Sequence, residues 1–361
     1  MTETCRAVVF PGDGSYELRE FAVPTPPPGG AVLQVEAVGL CGSDVAQIDG
    51  VRIVPGASDF PIVPGHEIVG RIAALAPGAS FGATFGTSSG ALREGDRVAV
   101  DEVLSMEPLR VYGYTDMSGD GRLGLWGGYG EFMEIFPGTR LHHLSDTLPA
   151  EHLTLFEPLA SAVNWVDIVG VEERDTVVIE GPGHQGLAVL EAVLARHPAQ
   201  VIVTGTSEDA LRLETARAIG ADVVVMVDTE DVRKVVRDAT GGVGADVVFD
   251  VATAVQTVPL AIELVRQRGR VLLAGLKHFQ PIPDLASDHI VLKGLTVFGG
   301  AGMTPHTVAK AVELIESGRV RTDLVVGEVC GLDGIDEAMR LLRRAEPGRD
   351  AVRVGLRHAP R

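Results

Sequence analysis

VVIEGPGHQG, residues 177–186, decides the fold of half of this chain. The β-branched run Val177, Val178, Ile179 reads as a short buried strand, and LAVLEAVLARH (187–197) reads as the helix that follows it. Between them, Gly181, Gly183 and Gly186 form G-x-G-x-x-G. In a chain with 44 glycines the spacing alone means little; strand before and helix after give it meaning. Gly181 permits the turn, Gly183 lets backbone approach a pyrophosphate, and Gly186 lets the helix pack on its strand. The phosphates of a dinucleotide would face the helix N-terminus, beside His184 and Gln185.

Downstream, strand-like and helix-like stretches alternate. VIVTG (201–205), VVVMV (223–227), ADVVFDVA (245–252), RVLLAGL (270–276) and GLTVFGG (294–300) read as strands. DALRLETARAIGAD (209–222), DVRKVVRDATGG (231–242) and TVPLAIELVRQRG (257–269) read as helices, with Gly220 and Gly269 as left-handed C-caps. This alternation implies an α/β unit with a parallel sheet covered on both faces. The first 150 or so residues differ: Gly- and Pro-rich, with short apolar runs such as AVLQVEAVGL (31–40) and IVGRIAAL (68–75), they suit antiparallel strands. After Gly300 one amphipathic helix (307–318) and one strand, AVRVGL (351–356), are expected to pack back onto that first part.

Upstream of the glycine loop lie GLCGSD, with Cys41, Ser43 and Asp44, and GHE, with His66 and Glu67. Thiolate and imidazole are ligands zinc prefers, and a catalytic zinc takes three protein ligands and keeps a position open. Glu157, in FEPLASAVNW, is the acidic residue that offers a third. A ligating imidazole usually donates its second N–H to a carboxylate, a role that suits Asp44. Glu67 suits an outer position or exchange onto the metal. A metal that polarises an alcohol, beside a loop that binds a dinucleotide, describes hydride transfer.

Composition narrows the alternatives. The 361 residues suggest two domains, and 45% hydrophobic residues supply their cores. With 31 basic against 49 acidic residues the formal charge is −18, which disfavours nucleic acid and anionic membrane as partners. The start, MTETCRAVVF, lacks the pattern of a secretory signal, and three cysteines cannot form a disulfide framework, so a cytoplasmic location is expected.

GLCGSD, GHEIVGRI (65–72), GDRV (95–98), GGYGEF (127–132), EPLA (157–160) and the glycine loop occur in one order along the chain. In that order they resemble the zinc-dependent alcohol dehydrogenases of the medium-chain dehydrogenase/reductase superfamily, in the sorbitol/threonine dehydrogenase-like branch with a Glu-Pro third-ligand motif. The resemblance implies a GroES-like β-rich catalytic domain (1–159 and 301–361), interrupted by a Rossmann doubly wound sheet (160–300), with the active site in the cleft between them. It assigns one catalytic zinc to Cys41, His66 and Glu157, although in some relatives Glu67 is the ligand. Ser43 would accept the substrate proton. Asp44 and Glu67 complete the catalytic set, and a homodimer or homotetramer acting on a small-molecule alcohol or ketone is expected.

Two departures stand out. The four cysteines of a structural zinc lobe are missing between Asp101 and Gly130, and Ala46 occupies the position of the usual proton-relay His. At the end of the second strand of the αβ run, NAD-preferring enzymes carry an acidic residue. Here Gly205 stands, followed by Thr206 and Ser207, with Arg212 nearby; the small residue and two hydroxyls lean toward NADP over NAD. A neutral secondary alcohol, bulky or cyclic, is the expected substrate, with a polyol or sugar as the alternative. Leu104, Met106, Leu125, Trp126 and Phe132 could line a pocket or be plain core. A zinc-free quinone or enoyl reductase, or a non-catalytic nucleotide-binding protein, would leave Cys41, His66 and Glu157 without purpose.

Overall fold

Contacts divide the chain into Met1–Glu157, Val308–Gly318 and Val326–Arg361 as one unit, and Pro158–Thr307 with Arg319–Val325 as the other. The computed structural model describes residues 3–52, 54, 61–82, 92–346 and 348–359.

The first unit is organised by the strand Ala31–Leu40, whose apolar residues on both faces are buried almost throughout. Strands Glu67–Leu75 and Val354–Arg357 flank it antiparallel, and Phe132–Ile135 pairs with its first residues. Among the described residues the sheet runs Glu328–Cys330, Val354–Arg357, Ala31–Leu40, Glu67–Leu75, Arg97–Val100, Leu141–His143. Its apolar side chains join one buried cluster that includes Phe10, Leu33, Ile68 and Tyr129. The register sets Gly39 opposite both Glu67 and Gly355. Cys41, two residues beyond Gly39, therefore lies beside His66 and Glu67 although the chain separates them widely.

The second unit holds a parallel sheet in the order Val223–Met226, Gln200–Gly205, Thr176–Glu180, Ala245–Asp250, Val265–Leu273, Thr296–Gly299. Val178, Ile202, Val248 and Val271 stack on one face against Val232, Val236, Ala261 and Leu264 of two covering helices. The order reverses between Thr176–Glu180 and Ala245–Asp250. That switch point opens the crevice in which doubly wound folds bind ligands. No helix among the described residues is long and apolar enough to cross a membrane.

Two elements differ from the sequence expectation. The helix expected over 257–269 ends at Leu264, and the strand starts at Val265 with a bulge before Arg270. Arg266 Nε bonds Asp246 Oδ1 at 2.5 Å and draws this segment along the neighbouring strand. Gly269 thus lies in a strand, whereas Gly220 does cap its helix, at φ 138°. The tail also carries a helix, Ile335–Leu342, in addition to the expected one. Its apolar Ile335, Ala338, Met339 and Leu341 join the core of the first unit at helical spacing.

Candidate active site

Cys41 ends the central strand and caps the helix Gly42–Ile48, so the turn itself fixes the thiol. Asp44 is fully buried in that helix's first turn. Its Oδ2 accepts the Cys41 N–H at 2.8 Å and the Tyr129 hydroxyl at 2.9 Å. Its Oδ1 lies 3.5 Å from Nδ1 of His66, an ion-pair contact longer than a hydrogen bond. Tyr114 packs its ring 5.1 Å from the imidazole and donates its hydroxyl to Ser43 Oγ at 2.8 Å. Burial opposes a charge on His66, but Tyr114, Asp44 and Cys41 outweigh it and push its pKa well above the usual imidazole range.

One ligand atom each from His66, Glu67 and Glu157 lies within 4.8 Å of the others, and Cys41 Sγ lies within that distance of a Glu67 oxygen. Sulfur, nitrogen and carboxylate donors converge here, with a buried carboxylate behind the imidazole. That donor chemistry fits zinc.

Beneath the donors, Glu67 forms a fully buried ion pair with Arg353, which also donates to Thr154 Oγ1 at 2.8 Å. The pair occupies the space above Gly39, where any Cβ would collide with both side chains. Glu102 is a further buried carboxyl. Its backbone carbonyl accepts the Tyr112 N–H at 2.9 Å, and its Oε2 has no hydrogen-bond partner among the described residues. Burial, with Glu157 and Asp101 nearby, pushes its carboxyl well above the usual range.

In the second unit, Gly181 takes φ +100°, and a Cβ there would press to 3.0 Å on Ala252 backbone. A Cβ on Gly186 would run into the Gly181 carbonyl, so close helix–strand packing requires glycine. Gly183 caps the helix His184–Leu194 and has open space where its Cβ would be, as a cradle for phosphate needs. Gln185 instead anchors the helix, donating to the Pro158 carbonyl at 2.9 Å.

The strand end at Gly205 is tightly packed. A Cβ on Gly205 would meet Pro182 Cγ at 2.8 Å, so packing against the glycine loop accounts for the small residue. The Thr206 hydroxyl donates to Asp209 at 2.9 Å and the Ser207 hydroxyl to Asp228 at 2.5 Å. Arg212 lies 3.8 Å from Asp209. Carboxylates therefore already hold the hydroxyls that the sequence offered to a 2′-phosphate.

The chain matches the family "Alcohol dehydrogenase GroES-like domain" over residues 27–146 and the family "Zinc-binding dehydrogenase" over 186–317. It is 33% identical to a probable alcohol dehydrogenase of Mycobacterium tuberculosis, over 95% of both chains. It is 30% identical to the erythritol/L-threitol dehydrogenase of Mycolicibacterium smegmatis, over 98% of both. The chain belongs to the zinc-dependent alcohol dehydrogenases. Its fold matches the crystal structure of an alcohol dehydrogenase from Thermotoga maritima with a TM-score of 0.85, covering 99% of this chain and 100% of that one at 24% identity. Membership makes it an oxidoreductase of alcohols that uses zinc and a nicotinamide dinucleotide.

Sequence reasoning named Cys41, Ser43, Asp44, His66, Glu67 and Glu157, and these six gather in the first unit. It missed Tyr114, Tyr129, Glu102 and Arg353, each of which reaches the site through long-range packing. For Arg353 a signal existed: an arginine inside the apolar strand AVRVGL needs a buried anion. Leu125, Trp126 and Phe132 belong to the core, with Trp126 Nε1 bonded to Glu134 at 2.6 Å, while Met106 is 72% exposed.

Arg353→Met leaves Glu67 as an uncompensated buried anion. We expect a loss of about 3–5 kcal/mol in denaturant unfolding, with much of it recovered in the Glu67→Gln/Arg353→Met double variant. Additive losses would contradict the pairing.

Proposed function

We propose that this protein oxidises a neutral alcohol reversibly at a single zinc held by Cys41, His66 and Glu157. The observation that supports this is that His66, Glu67 and Glu157 offer ligand atoms within 4.8 Å of one another, and Cys41 Sγ lies within that distance of a Glu67 oxygen, over the Asp44 carboxylate and the Glu67–Arg353 pair. Glu157 is our choice of resting third ligand, since Arg353 already pairs with one of the two Glu67 carboxylate oxygens. When bound, zinc supplies Lewis acidity and the dinucleotide supplies the hydride acceptor. Ser43 Oγ accepts a hydrogen bond from the substrate hydroxyl, and the Tyr114 hydroxyl, which donates to it, holds the serine oxygen in place. Asp44 orients His66 and fixes the Cys41 turn. The Gly181–Gly186 loop receives the pyrophosphate, with Gly183 at the closest approach.

NAD is the cofactor this end of the nucleotide site favours. Asp209 and Asp228 place negative charge where a 2′-phosphate would bring more, and a ribose hydroxyl could donate to either. Relatives are named for erythritol, L-threitol and sorbitol, which supports a hydroxylated, uncharged substrate. The homodimer or homotetramer expected from the sequence would use the open edge strand Thr296–Gly299. Earlier in the chain Phe279 and, on the helix Asp288–Lys293, Val291 and Leu292 are 91%, 76% and 79% exposed, and a second copy of the chain would cover the open edge by strand pairing.

Steady-state kinetics across a panel of secondary alcohols with both cofactors tests the catalytic reading. We expect turnover that Cys41→Ser abolishes, NAD efficiency above NADP, and a shift of about ten-fold toward NADP in Asp228→Asn. Turnover by Cys41→Ser at the wild-type rate would refute the metal assignment; wild-type preference for NADP would refute the cofactor assignment. Light scattering tests the edge: Val291→Asp/Leu292→Asp should yield monomer, and an unchanged mass would place the interface elsewhere.

A further inference from the structure

Glu102 has no duty in the chemistry described so far, yet the fold buries its carboxyl group on the same side of the sheet end as the donors' strand. It sits just past the strand Arg97–Val100, 9% exposed, with Oε2 lacking any partner among the described residues. The antiparallel register that sets Val69 opposite Ala99 leads, continued past both strand ends, to Glu102 at the level of His66; the charged groups acting on it are Glu157 and His66, both in the donor set, and Asp101. Asp101 is occupied, bonding Arg140 at 2.6 Å. No lysine or arginine is among these neighbours, so the ion pairing that accounts for Glu67 does not account for Glu102.

Burying a carboxyl without a partner costs free energy that valine or leucine would not. A position that served only packing would be filled more stably by an apolar residue. Nor is Glu102 one of the converging donors: the groups whose ligand atoms come together include Cys41, His66, Glu67 and Glu157, and not Glu102.

We propose that Glu102 is a specificity-determining residue that hydrogen-bonds a second hydroxyl, on the carbon next to the one oxidised, and so selects vicinal diols over mono-alcohols. The inference rests on the alcohol-oxidising reading above. A hydroxyl is the group that suits this site because it both donates and accepts. It pairs with an ionised carboxylate through its proton and with a neutral carboxylic acid through its oxygen. A methylene in the same place leaves the buried carboxyl unsatisfied, and that penalty is the source of the discrimination.

The test compares kcat/KM for matched pairs, 2,3-butanediol against 2-butanol and 1,2-cyclohexanediol against cyclohexanol, in the zinc-loaded wild type, Glu102→Leu and Glu102→Gln. The wild type should favour the diol in each pair. Glu102→Leu should reduce the diol to mono-alcohol ratio by about 10- to 100-fold, mainly through a raised KM for the diol. Glu102→Gln, which keeps a donor and an acceptor, should retain much of the preference. Zinc content by elemental analysis should match the wild type in both variants. An unchanged ratio in Glu102→Leu overturns the proposal, and loss of zinc from that variant overturns it too, by making Glu102 a ligand. Wild-type turnover of neither member of either pair would instead count against the alcohol-oxidising reading itself, and the proposal would fall with it.

Discussion

The buried Glu67–Arg353 pair is the constraint on which the catalytic unit depends. Neither group can be inside the protein alone, since an isolated ion there costs several kcal/mol and an unmatched partner leaves that cost uncovered. Their pairing requires the strand Val354–Arg357 and the segment before it to lie against Ala31–Leu40, which in turn sets Gly39 opposite Glu67. Gly39 is the space the pair occupies. A contact between positions 67 and 353 therefore ties the end of the chain to its first quarter and holds the floor of the donor set. The carboxylate it neutralises stands next to His66 and Glu157, where additional uncompensated negative charge would compete with an orderly zinc site.

Above that floor the polar groups are layered. Asp44 serves both the helix turn and His66, and Tyr129 and Tyr114 supply the hydroxyls that hold Asp44 and Ser43. Each tyrosine comes from the segment that replaces a cysteine-bearing lobe in many relatives. In the second unit, acidic side chains gather where Gly205 ends its strand, with Thr206 and Ser207 bonded to Asp209 and Asp228. The Thr206–Asp209 arrangement caps the turn that follows.

What the sequence disclosed follows from the range of the interactions involved. Strand–helix alternation and the glycine spacing are local, so the parallel sheet and its phosphate loop were legible from residue 177 onward. Cys41, His66 and Glu157 stood out in the sequence because few roles combine those side chains, and the fold brings His66 and Glu157 within 4.8 Å of each other. Gly205 has two readings in sequence, since a small residue can be demanded by packing, here against Pro182, as well as by an open ligand site. The stretch 265–269 misled because a helical pattern persisted past the point where Arg266 bonds Asp246 and the strand takes over. Glu102 and Arg353 lay beyond local reasoning; only the folded chain shows which buried charge has a partner and which does not.

Zinc K-edge X-ray absorption of the zinc-loaded protein tests the central claim most directly, because it counts the atom types around the metal. The account predicts one zinc per chain with a single sulfur at about 2.3 Å and nitrogen or oxygen at about 2.0–2.2 Å, the sulfur vanishing in Cys41→Ser. A first shell without sulfur, or one with several sulfurs, would contradict it.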